Sequence, residues 1–335
     1  MSRPEDRTTA GPGVPDPVVP APVLALLDGL WAAGHAAYVV GGCLRDELLG
    51  READDWDLAT DARPERILEL HAGALYKNRF GTVIVRRDEA DYELTTFRSD
   101  HEYEDFRRPT RVEFGETIEE DLARRDFTVN AMAWGRRADE PAPRLVDPFG
   151  GARDVEGRIL RAVGDPHERF REDALRMVRA VRLAATLGFT IEPGTLTAIG
   201  THAGLADHLS AERVAAELEK LLSAERPSVG LRLMDETGLL RVVLPELAVQ
   251  RGIPQDKVPG EDLLDHSLRS VDAAPAERPI VRLAALLHDI GKPATYADGH
   301  FHRHDEVGAE QAERSEEHTS ELQSLAYLVC RLLLE

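Results

Sequence analysis

The sequence predicts a mixed α/β head followed by an all-α body. Short apolar or alternating runs at residues 36–40, 56–60, 83–86 and 92–97 read as strands and stay within the first 150 residues. From about Arg169 onward nearly every stretch has helical spacing. Between the two lies the turn-rich segment Asp147-Pro148-Phe149-Gly150-Gly151.

Taken in order, residues 1–20 hold five prolines among Gly, Thr and Asp and read as a disordered leader. Residues 23–33 have helical periodicity. The strand at 36–40 runs into the glycine pair Gly41-Gly42, and 44–49 reads as a short helix. Residues 56–60 form a second strand, and Arg63-Pro64-Glu65 opens a helix with Pro suited to its first turn. Residues 83–86 and 92–97 alternate like a hairpin around Asp88-Glu89-Ala90. In the body, a helix over 172–187 ends at Gly188, one over 211–222 follows Ser210, and one over 228–237 ends at Gly238. Residues 245–259 are a Pro/Gly-punctuated connection, and a new helical region starts near Glu261.

The chain has 335 residues, 42% apolar and 30% charged, as in an ordinary globular protein of two or three domains. There is no apolar h-region at the start and no 18-residue apolar run, so a cytosolic protein without a membrane segment is expected. Two cysteines, Cys43 and Cys330, are too few for a disulfide framework or a thiolate metal site. A net charge of −20 argues weakly against a nucleic-acid partner, but local arginine clusters remain: Arg107-Arg108 with Arg111, Arg124-Arg125, and Arg136-Arg137.

The chemistry concentrates in Gly41-Gly42-Cys43-Leu44-Arg45-Asp46 and Asp55-Trp56-Asp57. A glycine pair turns tightly and leaves amide N–H groups free for a phosphate. Asp55 and Asp57, one residue apart on a strand, would share a face about 7 Å apart, and such a pair calls for a hard divalent cation such as Mg²⁺. A phosphate cradle leading to a carboxylate metal site is equipment for phosphoryl or nucleotidyl transfer.

GGCLRD, DDWDLAT, RRDFTVNAMAW, DPFGG and RFREDALRMVRAVRLAATLGF resemble, in order and spacing, the motifs of the class II tRNA nucleotidyltransferases. These are the bacterial CCA-adding enzymes and their poly(A) polymerase relatives in the DNA polymerase beta superfamily. The resemblance covers about residues 23–250. It implies an α/β nucleotidyltransferase head with a mixed β-sheet, then an all-α neck and body that bind nucleotide and RNA. It makes Asp55 and Asp57 the ligands of two Mg²⁺ ions, with Glu93 the candidate third carboxylate; a plain solvent-facing glutamate is the alternative. Gly42 and Arg45 would contact the triphosphate, Arg125 and Asp126 the nucleotide, and Asn130 a sugar or backbone group. On the helix carrying Glu172, the resemblance makes Asp173 and Arg176 the base readers, with Arg179 and Arg182 farther round. Cytosine and adenine both place an amino donor beside a ring-nitrogen acceptor, which suits a carboxylate and a guanidinium; uracil and guanine present the reverse. The expected reaction joins CTP and ATP to the tRNA 3′ end with release of pyrophosphate. An A-adding enzyme or poly(A) polymerase shares the motifs.

His266, then Leu287-His288-Asp289-Ile290-Gly291-Lys292, then His302 and His304 resemble a phosphohydrolase domain of the HD type, whose His-Asp pair would suit a transition metal. A metal phosphohydrolase is thus the reading from a different class, and an inactive RNA-binding protein a third, disfavoured by the intact Asp55 and Asp57. The final metal-ligand Asp of the HD pattern is missing. Residues 314–324 read as the translation of a sequencing adapter, so 314–335 are expected to be non-native and the HD site incomplete. The expected division is a leader over 1–20, a catalytic head over 21–150, a neck and body over 151–255, a partial all-α HD domain over 256–313, and the tail.

Overall fold

The computed structural model describes residues 16–317, apart from 54, 79–80, 89, 100–102, 105–107, 110–113, 256–257 and 298–299. The run at 36–40 becomes β1 (Ala37–Val40), all four residues buried. It is apolar throughout because both faces are covered. Before it lies α1 (Ala21–Ala32), whose Val23, Leu26, Leu27, Leu30 and Trp31 are buried. After it come α2 (Gly42–Leu48), β2 (Asp57–Thr60) and α3 (Pro64–Leu70), which opens on proline as expected. Then follow β3 (Leu75–Asn78), β4 (Thr82–Arg87), β5 (Ala90–Thr96) and a two-residue ladder of β6 (Tyr103–Glu104) with β7 (Arg108–Pro109). The head continues through α4 (Ile118–Ala123), β8 (Ala133–Arg136), β9 (Arg144–Val146) and α5 (Gly151–Glu156).

Seven strands form one mixed sheet in the order β3-β4-β5-β2-β1-β8-β9. All neighbours are antiparallel except β2 and β5. The β4–β5 hairpin pairs Thr82 with Thr95 through Arg87 with Ala90, matching the alternation read from sequence. On one face Tyr38, Val40, Ala59 and Phe97 pack with Ile118 and Leu122 of α4. Asp57 stands opposite Val40 across the β1–β2 pair, so it belongs to this face.

Two expectations shift. The strand begins at Asp57, so Asp55 lies in the extended approach to it and the two carboxylates do not share a strand. Just before the strand, the buried Trp56 indole donates to the Ala53 carbonyl at 3.0 Å. The expected leader also ends early. Residues 16–20 lie against the head, with Asp16 Oδ1 accepting from Trp134 Nε1 at 2.9 Å and Val19 buried.

The chain divides into two units after Arg169. The second is helical: α6 (Pro166–Glu172) leads into it, followed by α7 (Leu175–Leu187), α8 (Pro193–His202), α9 (Ala211–Leu222) and α10 (Pro227–Glu236). Next come α11 (Leu240–Val243), α12 (Pro245–Ala248), α13 (Leu263–Ala273), α14 (Pro279–Leu287), α15 (Lys292–Thr295) and α16 (His304–Glu317). The expected single helix over 172–187 is two helices. Asp173 sits at the break, its Oδ1 accepting from the Leu175 N–H at 3.1 Å and so starting α7 afresh. Gly188 then ends α7 in the left-handed conformation, as read. Helix α13 starts with a capping box between Asp262 and Asp265. No helix among the described residues is long and apolar enough to cross a membrane. Of the suspected tail, 314–317 continue α16 and 318–335 lie outside the described residues.

Candidate active site

The turn after β1 depends on Gly41, whose backbone (φ 88°, ψ −139°) is nearly closed to other residues. A Cβ there would stand 3.0 Å from the Arg125 guanidinium and 3.9 Å from Asp57 Oδ2. The bare backbone therefore packs between a cation and a carboxylate. The glycine expected to matter was Gly42, but Gly41 has the special conformation; Gly42 lies under the Arg45 guanidinium.

Asp57 is half-buried, and burial pushes its carboxyl up to about 6 from 3.8; Asp55 adds to the rise and, more weakly, Glu93, against Arg125 and Lys77. Neither Asp55 nor Asp57 makes an ion pair among the described residues. Glu93 lies on β5, parallel to β2, and its carboxylate is paired with Lys77. These groups are gathered electrostatically but do not close to metal-ligand separations: the one such group among the described residues is elsewhere. Their chemistry fits a divalent metal all the same. Asp55 and Asp57 are hard oxygen donors, and a carboxyl raised by burial and then by a neighbouring carboxylate is one that a bound cation would keep ionised.

The other head residues form one connected set. Arg45 grips Asp46 with Nε and Nη2 at 3.0 and 2.8 Å and donates from Nη1 to Asn130 Oδ1 at 2.5 Å. Asn130 Nδ2 reaches Asp126 Oδ1 at 3.5 Å, and that oxygen also accepts from the Phe127 N–H at 2.8 Å. Arg125 donates to Asp121 Oδ2 at 3.2 Å and to the Asn130 carbonyl at 3.4 Å, while its buried Nε has no hydrogen-bond partner. Asp121, 1% exposed, takes Arg124 as well, and the arginines hold its carboxyl below the usual range despite burial. It was missed from sequence because an acidic residue in a first helical turn is unremarkable. The DPFGG segment supports this set. Asp147 accepts from the Gly151 and Ala152 N–H groups at 2.7 and 3.0 Å, and a Cβ on Gly151 would overlap the Thr128 carbonyl two residues before Asn130.

In the second unit, Asp173 and Arg176 do not share a helix face, since Asp173 precedes α7. Its Oδ2 accepts from Arg213 of α9 at 2.7 Å. Arg176 pairs with Glu172 at 2.6 Å. Arg179 and Arg182 both reach Glu217, also on α9 and 5% exposed, at 3.4 and 2.9 Å. Arg213 and Glu217 had no local signal; only the tertiary pairing of α7 with α9 reveals them.

His266, His288 and Asp289 do converge, their ligand atoms within 4.8 Å of one another. His266 Nε2 and His288 Nε2 lie 3.4 and 3.1 Å from Asp289 Oδ2, and Lys292 Nζ lies 2.7 Å from the same oxygen. His288 Nδ1 faces the Ala285 carbonyl at 2.8 Å, so Nε2 is the nitrogen that could hold a metal. His304 Nε2 is 3.8 Å from Asp289 Oδ1, whereas His302 is exposed and outside the cluster. Against the opposing effect of burial, hydrogen bonds and charge from His288 and Lys292 hold the Asp289 carboxyl far below the usual range.

The model of the Poly A polymerase head domain matches residues 37–161, that of the probable RNA and SrmB-binding site of polymerase A residues 188–250, and that of the HD domain residues 262–334. The HD match runs through the suspected tail. The Bacillus stearothermophilus CCA-adding enzyme, solved in complex with CTP, is 32% identical and superposes with a TM-score of 0.64 over 93% of this chain and 77% of its own. The chain belongs to the CCA-adding enzyme family. The CCA-adding enzyme of Geobacillus kaustophilus is 45% identical over 228 residues, 68% of this chain and 55% of the relative. That of Streptococcus suis strain 05ZYH33 is 47% identical over 226 residues, 67% of this chain and 55% of the relative. The chain thus spans about half the length of the curated relatives it matches. The CCA-adding enzyme family uses divalent metal ions.

Proposed function

We propose that the protein is a template-independent nucleotidyltransferase of the cytosol that adds CCA to the 3′ end of tRNA from CTP and ATP. The carrying observation is the half-buried Asp57, its carboxyl raised to about 6 by burial and by Asp55, with the bare Gly41 backbone lying between it and the Arg125 guanidinium. Asp55 and Asp57 would hold two Mg²⁺ ions, which when bound lower the pKa of the primer 3′-hydroxyl and offset the charge of departing pyrophosphate. Arg45 and Arg125 hold the triphosphate by charge-assisted hydrogen bonds, with the open Gly41 backbone allowing close approach. Asn130, oriented by Arg45 and Asp126, contacts the sugar. Asp173 and Arg176 read the base edge, Asp173 exchanging its Arg213 partner for an exocyclic amine. Purified protein, tRNA lacking its tail, and CTP or ATP singly and together provide the test. Ordered C, C, A addition supports the proposal, and A addition alone assigns an A-adding enzyme or poly(A) polymerase. No extension by protein with intact Asp55 and Asp57 overturns it.

The converged His266, His288 and Asp289 favour a second reading, a metal phosphohydrolase activity in the second unit. Phosphate release from a phosphomonoester that depends on an added transition metal and is lost in His288→Ala would support it.

A further inference from the structure

The two histidines that gather on Asp289 differ in what stands behind them. A metal-ligating imidazole ordinarily donates its second ring N–H to an oxygen, which fixes the tautomer with a lone pair toward the metal. His288 follows that pattern through Nδ1 and the Ala285 carbonyl. His266 reverses it. Its Nδ1 lies 3.1 Å from Nη2 of Arg269, one turn farther along α13. A guanidinium has donors and no acceptor, so Nδ1 accepts and the ring proton of His266 sits on Nε2. The partner of that proton is then the proton-free Nε2 of His288, 3.2 Å away. In this neutral tautomer the nitrogen that His266 brings to the cluster has no lone pair to offer. Before Nε2 can ligate, the proton has to leave it, a proton has to arrive at Nδ1, and Arg269 has to turn away; the ring is neutral before and after.

We propose that Arg269 is a brake on metal uptake by His266, His288 and Asp289, acting by holding His266 in the tautomer that cannot ligate. This rests on the second reading above only in taking those three residues as a metal centre; it asks nothing of phosphoester hydrolysis. Arg269 is a positioning residue here, since it works through His266. It is able to let go: its side chain is 43% exposed, and its Nη1 lies 2.8 Å from Glu261 Oε2, an anchor that stays in place when Nη2 leaves the ring. The brake is therefore a competition between one hydrogen bond to Nδ1 and one metal bond at Nε2, and it sets affinity without closing the site.

Zn²⁺ is the probe, its affinity for the full chain measured by competition with a chromophoric chelator. Arg269→Met keeps the aliphatic stem and removes the donors, and Zn²⁺ is expected to bind it about tenfold more tightly than the parent. Loss of a positive charge would favour a cation by itself. The same substitution is therefore made in a His266→Ala background, where a brake that works through His266 has nothing left to hold and the gain should vanish. A gain that persists there at full size overturns the proposal, as does equal or weaker binding by Arg269→Met alone. A second measurement needs no variant. In ¹⁵N-labelled, metal-free parent protein the His266 ring should carry its proton on Nε2, and a proton on Nδ1 overturns the proposal. Phosphate release is no part of either readout, so its failure bears on the second reading alone.

Discussion

At Asp57 the side chain carries a conflict between folding and the proposed metal binding. Its carboxyl titrates near 6 when folded and near 3.8 otherwise, so the folded state holds the proton more tightly. Carrying the charge therefore costs stability, nothing below about pH 4 and the full amount above about pH 6. Asp57→Asn is expected to raise the stability of metal-free protein by about 1–3 kcal/mol near pH 7.5 and by nothing near pH 4. Melts in chelator at both pH values check this, and nucleotide transfer should fall to background in the same variant. Gly41→Ala should cost about 1–3 kcal/mol through backbone strain and crowd Arg125, read as a lower urea midpoint together with a raised KM for nucleotide. At this scale much was legible. Arg45, Asp55 and Asp57 lie close to the glycine turn in sequence, whereas Arg125 and Asn130 meet it from a segment more than 80 residues on and were read only through the family motif. Choosing between Gly41 and Gly42 was not legible, because that depends on Arg125 arriving from a distant segment.

Among elements, the break between α6 and α7 is the feature most at odds with the sequence reading. No proline or glycine marks it. An aspartate that accepts from a following N–H and pairs with Arg213 does the work instead, and such competition between side chain and helix is invisible in a periodicity count. Strands β1, β4 and β5 were legible because alternation or an apolar run is a local signal. The sheet order was not, since it rests on pairings such as β2 with β5. Glu217 fastens α9 to α7 through Arg179 and Arg182. Glu217→Ala leaves two guanidinium groups without their acceptor and should destabilise by about 1–3 kcal/mol, discounted because Arg179 is partly exposed. Denaturant titration of the variant beside Glu217→Gln separates lost charge from lost packing. Gly151→Ala should cost a similar amount, about 1–3 kcal/mol by overpacking against Thr128, and should loosen the amides around Asn130 in hydrogen exchange.

For the whole molecule, the two units each hold groups suited to a cation, of opposite character: hard carboxylates in the head, two imidazoles and a carboxylate in the helical unit. Softness of ligand predicts different metals. Zn²⁺ should raise the melting temperature of the parent and of an Asp55→Asn, Asp57→Asn double variant alike, and His288→Ala should abolish that rise. A metal shift lost in the double variant would contradict this separation. Three arginines of the positive clusters read from sequence are engaged within the head. Arg124 and Arg125 face Asp121, and Arg136 stacks on Trp31 at 4.6 Å; Arg107 and Arg111 lie outside the described residues.

The place of β1 in the sheet also bears on how the polypeptide is born. One of its neighbours, β2, follows it soon on the ribosome, whereas the other, β8, emerges only after the hairpin, the crossover and α4. Until Ala133 has been translated, Tyr38 to Val40 present an unsatisfied apolar edge, an invitation to aberrant pairing that a chaperone would have reason to shield. The glycine turn that follows β1 is therefore among the last parts of the head to mature, although its residues are among the first to be made.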